Sequence, residues 1–309
     1  MSFPRWLTAA ASLALGVALL LLTLRFVSAA DVISSMRRMG TGFVLVLALS
    51  GARFLIRATA WRWCLPEPSE LPLGRAFGAV LAGDALGNLT PLGPLASEPA
   101  KIWILERRLT SSAAMQALVI ENVLYTSSVI GLLLLGGAGF LVALHRTVWI
   151  WPALALGSVA LLAAAAVLAR GLPDRIGSRM QRAMAAPRAL LRDHPARLAL
   201  VCGCELLFHV LAIAETFVTL RWLAAGDGTL LQAFLLETVN RFTTVVFKFV
   251  PLRLGVDEAG SGLLGAALAL GGATGVAMAL VRKARTAAWV IVGLAWMGVV
   301  LRRGRGGAE

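Results

Sequence analysis

The sequence predicts an all-α, polytopic integral membrane protein, and three observations support this prediction. Hydrophobic residues make up 59% of the 309 residues and charged residues only 15%, whereas soluble domains contain about 45–50% apolar and about 25% charged residues. Several apolar stretches reach the roughly 20 residues that a helix needs to cross a bilayer. The basic residues outnumber the acidic ones by 29 to 16, an excess that in a membrane protein reports orientation and anionic headgroups. A soluble globule of this composition would expose large apolar patches, which excludes most soluble folds.

Six segments have the length and apolarity of spanning helices. The first is longer than the apolar core of a secretory signal, which has about 7–15 residues, although residues 28–30 resemble a cleavage site. The second is followed by Trp-Arg-Trp at 61–63, an aromatic and basic group typical of a headgroup anchor. A short interfacial helix is predicted before it, over residues 31–40. The six predicted spans are 6–27, 42–60, 111–144, 149–169, 198–223 and 273–300.

Two further apolar segments are broken near their middles. Segment 73–105 is interrupted at 88–94, which contains Pro91, Gly93 and Pro94. Segment 229–270 is interrupted around Pro251 and Gly255. Proline removes a backbone donor and glycine weakens a helix, so one straight helix is not expected in either segment. Each half is too short to span the bilayer without strain. We therefore predict that each segment forms a re-entrant helical hairpin.

The distribution of arginines predicts the orientation. Residues 170–197 form a hydrophilic loop with seven arginines and two acidic residues, and three more arginines lie at 302, 303 and 305. By the positive-inside rule, this loop and the tail are cytoplasmic. With six spans and two hairpins, both termini are then cytoplasmic and the protein lies in the cell's inner membrane. Arg37 and Arg38 would lie outside, against the rule.

An internal repeat is indicated by the two breaks. Residues 91–98 and 251–258 both begin with Pro-Leu and both end with Glu, at a separation of 160 residues. We predict one membrane domain over 1–309, with a first half of 1–146 and a second half of 147–301. The hairpins of the two halves would enter from opposite sides, as in inverted-topology repeats, whose broken helices meet near the midplane and form the substrate site.

Charged side chains within these apolar segments are the candidate substrate-binding residues. An ionised residue at the centre of a spanning helix costs about 2.5–3.5 kcal/mol on insertion scales, so it usually faces a cavity or a partner. Glu98 and Glu258 stand out because each lies just after a proline break. The basic candidates are arginines and lysines, the side chains that commonly bind phosphate groups in proteins. The full predicted set is Arg53, Arg57, Asp84, Asn88, Glu98, Lys101, Glu121, Asn122, Lys248, Arg253, Asp257, Glu258, Arg282, Lys283 and Arg285.

Other kinds of site are not expected. Glu205 and His209 have a metal-compatible spacing, but no third ligand is near them in the sequence, so we expect no metal and no other cofactor. No nucleophile motif such as Gly-x-Ser-x-Gly occurs, and we expect no catalytic residue and no enzymatic activity. No basic patch alternates with aromatic residues, so no nucleic-acid partner is expected.

At these residues the chain resembles the transmembrane region of lysylphosphatidylglycerol synthases, the flippase-like domain family. The resemblance rests on Trp-Arg-Trp at 61–63, the Asn-x-x-Pro-x-Gly break at 88–93 with Glu98, Glu121, and the second break from Phe249 to Glu258. The sequence differs from the family at Ala96 and Ser97, where glycines are usual just before the first glutamate. The family's second break is commonly Pro-Gly-Gly with an Arg before the glutamate, where this chain has Leu252, Arg253 and Asp257. It also has Asn122 where an Arg often follows the glutamate.

The resemblance implies a function in lipid movement. In two-part members, this region is thought to move a charged lipid between leaflets while a soluble domain aminoacylates it. Only nine residues follow Val300, so the aminoacylating activity is not expected here. We predict a flippase for a phospholipid or lipid-linked headgroup, with anionic or phosphate-bearing lipids as partners. The alternatives are a membrane-embedded transferase, with Glu98 or Asp84 as general base, and an accessory subunit of a lipid-synthesis enzyme.

Overall fold

A computed structural model describes residues 29–90, 93–105, 110–143, 189–190, 192–224, 226–247, 250 and 253–305. Within these residues the regular structure is entirely helical, which confirms the predicted class of an all-α, polytopic membrane protein. The predicted spans 6–27 and 149–169, and most of the 170–197 loop, lie outside the described residues. The α-helices of the described part are α1 (Ala29–Met39), α2 (Gly42–Trp63), α3 (Leu73–Leu89), α4 (Gly93–Leu105), α5 (Ser111–Ala143), α6 (Pro195–Leu223), α7 (Leu230–Val246), α8 (Val256–Ala267) and α9 (Gly272–Arg305), and a 3₁₀ turn covers Pro68–Glu70.

Four of these helices are long and apolar enough to cross a membrane. They contain the candidate spans Gly42–Trp63, Ser112–Leu141, Pro195–Leu223 and Gly272–Val300. Their bounds agree with the four corresponding predicted spans to within a few residues. Helix ends are the least certain part of a prediction from sequence, since the first and last turns depend on local capping.

The predicted interfacial helix is α1, which precedes the first of these spans. Arg37 and Arg38 are exposed in its last turn, where cations interact favourably with the helix dipole. Gly40 follows with φ of +41°, the left-handed conformation that commonly ends a helix and that glycine adopts without strain. The sequence thus separates a short polar helix from the long apolar α2 at one glycine.

The first broken segment folds as an antiparallel helical hairpin of α3 and α4. A Cβ added to Gly83 would lie 2.7 Å from Cγ of Lys101, and one added to Gly87 would lie 3.2 Å from Cβ of Ser97. Small residues on α3 therefore allow the backbones of the two helices to approach closely. The predicted break is confirmed, and the re-entrant placement of this hairpin in a membrane stays a prediction.

The second broken segment forms another antiparallel hairpin, of α7 and α8. Gln232 at the start of α7 donates to the backbone carbonyl of Leu268 at the end of α8, and Thr243 donates to Asp257 at the other end. Helix α7 begins with a capping box, in which Thr229 accepts from the Gln232 backbone and the Gln232 side chain accepts from the Thr229 backbone. Helix α8 then packs closely on α9, where Gly275 lies against the backbone of Ser261 and Gly262.

The chain divides into two compact units that are discontinuous in sequence. Unit 1 comprises Met1–Ala52, Leu81–Lys101 and Leu211–Glu309. Unit 2 comprises Arg53–Val80 and Ile102–Val210. Both hairpins, except the outer ends of α3 and α4, belong to unit 1. The predicted halves 1–146 and 147–301, and the inverted repeat they imply, stay a prediction.

The Trp-Arg-Trp group at 61–63 ends α2 inside unit 2. Trp61 is 1% exposed and belongs to an apolar cluster with Leu65, Leu71 and Ala117. Its predicted position at the headgroup level stays a prediction. Arg62, the next residue, is half-buried and donates to the backbone carbonyl of Pro68.

Candidate functional site

An ion pair joins α2 and α5 inside unit 2. Arg57 Nε donates to Glu121 Oε1 over 2.9 Å, and its guanidinium lies 4.2 Å from the ring centroid of Tyr125. The side chain of Glu121 is 2% exposed. Two predicted site residues thus contact each other, and the aromatic face adds a cation–π interaction to the pair.

Aromatic and polar residues of α6 continue this cluster within unit 2. The guanidinium of Arg53 lies 4.6 Å from the ring centroid of Phe208, and the neighbouring His209 shares a 2.9 Å hydrogen bond with Ser128 Oγ. The His209 ring also stacks on Tyr125. Glu205, one turn before His209, is buried. The i, i+4 pair of Glu205 and His209 is therefore part of a polar cluster between helices.

The first break, in unit 1, carries a second group of predicted residues. Lys101 Nζ lies 2.9 Å from Glu98 Oε1, and the side chain of Lys101 is only 6% exposed while that of Glu98 is 26% exposed. The other oxygen of Glu98, Oε2, is buried and has no hydrogen-bond partner among the described residues. On α3, Asn88 donates to Asp84 Oδ2 over 2.9 Å. Each pair lies on a single helix, in agreement with its sequence spacing.

The second break, also in unit 1, holds Asp257 and Glu258 at the start of α8. Glu258 Oε2 accepts from the backbone N–H of Gly255 over 2.9 Å, which caps the helix, and Lys283 Nζ lies 3.1 Å from Glu258 Oε1. Arg253 Nε contacts both oxygens of Asp257 at 3.0 and 3.1 Å. Arg253 adopts φ of +48°, which is uncommon for a residue other than glycine. Asp257 and Glu258 are 3% and 1% exposed, so both carboxylates are buried and paired.

Further charged residues extend the second break toward α6 and α7. Arg241 Nε lies 2.8 Å from Glu237 Oε1 on the same helix, and Thr216 of α6 donates to Glu237 Oε2. Arg285 of α9 pairs with Glu215 of α6. We call the following set the second-break network: Glu215, Glu237, Arg241, Arg253, Asp257, Glu258, Arg282, Lys283 and Arg285.

Three members of this network were missing from the residues predicted as a site. Glu215, Glu237 and Arg241 are each nine-tenths or more buried. The i, i+4 spacing of Glu237 and Arg241 was a signal in the sequence that could have found that pair. Glu215 had no comparable signal, because its partner Arg285 lies 70 residues away.

The predicted basic residues mostly contact protein carboxylates. Lys101, Arg57, Arg253, Lys283 and Arg285 all form ion pairs. Arg282 differs, because its Nη1 donates a 3.2 Å hydrogen bond to a hydroxyl oxygen, Ser261 Oγ. Asn122 donates to the backbone carbonyl of Leu118 on its own helix. Lys248 lies outside the described residues.

The chemistry of these clusters is ionic. Among the described residues, no group of three His, Cys, Asp or Glu side chains could hold a metal ion. Buried ion pairs contribute little net stability compared with apolar packing, because desolvation offsets their attraction, whereas loss of one partner leaves an uncompensated charge. Ionisable residues within apolar membrane helices are rare, and in other membrane proteins they commonly mark functional sites.

Comparison with known proteins gives one finding. The family model for the lysylphosphatidylglycerol synthase TM region matches residues 9–295. Neither the comparison with curated proteins nor that with solved structures finds a match. The match extends over most of the chain, from within the first predicted span to within the last helix. The protein therefore belongs to the family of lysylphosphatidylglycerol synthase transmembrane regions.

Proposed function

We propose that this protein moves a phospholipid or a lipid-linked headgroup between the two leaflets of the membrane. The observation that carries the proposal is that both helix breaks hold acid–base pairs within otherwise apolar segments. Glu98 pairs with Lys101 at the first break, and Glu258 pairs with Lys283 at the second. Membership of a family defined on a lipid-synthase membrane region supports a function that concerns lipids.

The physical basis is the cost of carrying a headgroup through hydrocarbon. A polar group without hydrogen bonds costs about 4–8 kcal/mol on transfer from water to an alkane, and an ion costs far more. Fixed carboxylates, ammonium groups and guanidinium groups replace the lost water at a position where the helices are broken. Lys101 and Lys283 would then exchange a carboxylate oxygen for a headgroup oxygen, with little change in their environment.

The same proposal includes the remaining expectations from the sequence. The protein acts without a chemical step of its own, lies in the inner membrane with both termini in the cytoplasm, and carries its two hairpins as re-entrant elements around a shared polar groove. An enzyme that makes the transported lipid is the expected protein partner.

The direct test uses the purified protein in liposomes that contain a fluorescent phospholipid. Dithionite quenches label in the outer leaflet, so a flippase exposes the inner pool over time. We expect the double variant Glu98→Gln and Glu258→Gln to flip at least about tenfold more slowly, which corresponds to about 1.4 kcal/mol in the barrier. Glutamine keeps the size and the hydrogen-bonding oxygen of glutamate and removes only the charge.

The matched control is Glu70→Gln, which removes a carboxylate from the exposed 3₁₀ turn. It should flip at the wild-type rate. Equal rates in the wild type and the double variant would reject the proposed residues. A wild-type rate equal to that of protein-free liposomes would reject the flippase function. Mass spectrometry of the same lipids tests the alternative of a membrane-embedded transferase, because a transferase would produce a covalently altered lipid.

A further inference from the structure

The charges of the second-break network do not balance. Its basic members are Arg241, Arg253, Arg282, Lys283 and Arg285, and its acidic members are Glu215, Glu237, Asp257 and Glu258. Five cations against four carboxylates leave one positive charge in excess among the described residues. Each carboxylate already has a cation within 3.1 Å.

Within the described part of the second-break network, Arg282 is the cation that contacts no carboxylate. Its side chain is 7% exposed, and Nη2 has no hydrogen-bond partner among the described residues. The carboxylates of Glu237, Asp257 and Glu215 attract the Arg282 guanidinium without contacting it, and the positive charge of Arg285 repels it. A buried guanidinium with an unused donor is costly, and buried polar groups in folded proteins almost always have a partner.

Ser261 presents a second donor beside Arg282. Its Oγ accepts the hydrogen bond from Arg282 Nη1 over 3.2 Å, and its hydroxyl proton remains available for another acceptor. The side chain is 4% exposed. A guanidinium N–H and a hydroxyl O–H this close together suit an oxygen atom that bears negative charge, such as a phosphate oxygen.

We propose that Arg282 and Ser261 bind a phosphate-type oxyanion that carries one net negative charge. This inference rests on the proposed function and names the class of headgroup, a phosphodiester whose charge is not balanced by a cation of its own. One such anion would neutralise the network, with five cations then facing five negative charges. The same chemistry is offered by free inorganic phosphate, and the experiment separates the two sources.

The test measures thermal unfolding of the purified full chain in a neutral detergent with added phosphatidylglycerol, phosphatidylcholine or inorganic phosphate. A ligand that binds the folded state raises Tm. For the wild type we expect phosphatidylglycerol to raise Tm by about 5 °C at saturation. Phosphatidylcholine has the same phosphodiester but carries its own cation, and it should give no shift.

Three variants make the result specific. Arg282→Met removes the cation and should abolish the shift. It should fold, since each of the four carboxylates keeps the cation that it contacts and four cations then face four carboxylates. Ser261→Ala keeps the cation and should reduce the shift. Arg221→Gln removes an exposed arginine from the last turn of α6 and should keep the full shift.

The outcomes separate this inference from the proposed function. A shift that persists in Arg282→Met, or no shift of the wild type with any ligand, overturns the oxyanion site. A shift with inorganic phosphate alone supports the site and overturns a lipid headgroup as its occupant. Lipid movement in liposomes without a Tm shift overturns only the site, and a Tm shift without lipid movement overturns only the flippase function.

Discussion

Arg57 of α2 and Glu121 of α5 form an ion pair of 2.9 Å between residues 64 positions apart in the sequence. Glu121 is almost completely buried and Arg57 is largely so, with side-chain exposures of 2% and 22%. The pair joins two helices whose other contacts within unit 2 are mainly apolar. Its loss therefore affects stability more than a surface ion pair would.

Glu121→Ala should lower the free energy of unfolding by about 3–5 kcal/mol, because it leaves the guanidinium of Arg57 buried without its carboxylate. The double variant Arg57→Ala and Glu121→Ala should lose less than the sum of the two single variants. Chemical unfolding in detergent, followed by tryptophan fluorescence, measures these values. Glu70→Ala in the exposed 3₁₀ turn is the control, and additive losses would show that the two residues are not coupled.

Gly275→Ala should destabilise the packing of α8 on α9. A Cβ at residue 275 would collide with the backbone carbonyl of Ser261, and a backbone atom cannot move aside as a flexible side chain can. Overpacking of this kind costs about 1–3 kcal/mol. Gly298→Ala is the matched control on the same helix, because a Cβ there meets no atom within 4 Å.

Since alanine favours helix over glycine by about 1 kcal/mol, Gly298→Ala should be neutral or stabilising. The same unfolding measurement compares the two variants. Equal effects of the two substitutions would mean that α8 and α9 are less closely packed at Gly275 than the structure indicates.

Glu258 should tolerate glutamine better than alanine. Its carboxylate caps α8 through Gly255 N–H and pairs with Lys283, which also lies 3.5 Å from Asp257. Glutamine keeps an oxygen for the cap, whereas alanine loses it, and loss of such a cap costs about 1 kcal/mol. The difference between the unfolding free energies of Glu258→Gln and Glu258→Ala measures the cap. Equal stability of the two variants would argue that the cap contributes nothing.

The buried thiol of Cys64 should react slowly with maleimide. Cys64 follows the end of α2 and is 3% exposed, and burial, with the charges of Glu121 and Glu205, raises its pKa well above the ordinary range. Because the thiolate is the reactive form, a raised pKa leaves less of it at a given pH. At pH 8 we expect labelling of Cys64 to be at least about tenfold slower than labelling of a free thiol, whose pKa is about 8.5.

The same labelling chemistry tests the predicted topology. Ser178→Cys lies in the arginine-rich loop and Asp227→Cys lies after α6, each introduced into a chain without its three native cysteines. A membrane-impermeant maleimide applied to intact spheroplasts should label Asp227→Cys and leave Ser178→Cys unlabelled until the membrane is opened. The reverse pattern would place the arginine-rich loop outside, against the positive-inside rule.

Local sequence features predicted most of the architecture. Four spans, the short helix before α2 and the breaks after Leu89 and Val246 follow from apolar length, proline and glycine. Each of these features affects the backbone only within a few residues of its own position, so it can be recognised in the sequence without knowledge of the tertiary structure. Pairs on one helix, such as Glu98 with Lys101, were equally accessible because a helix places residues three or four apart side by side.

The tertiary structure decided which charges meet, because that depends on which helices are neighbours. The sequence assigned Arg53, Arg57 and Arg285 to a lipid phosphate, whereas the structure places Arg57 against Glu121, Arg53 over Phe208 and Arg285 against Glu215. An apolar helix carries no local signal of its partner. The sequence by itself determined that this is a helical membrane protein with charges at two breaks. Only the packing of α6, α7, α8 and α9 left Arg282 as the cation of the second-break network that contacts no carboxylate among the described residues.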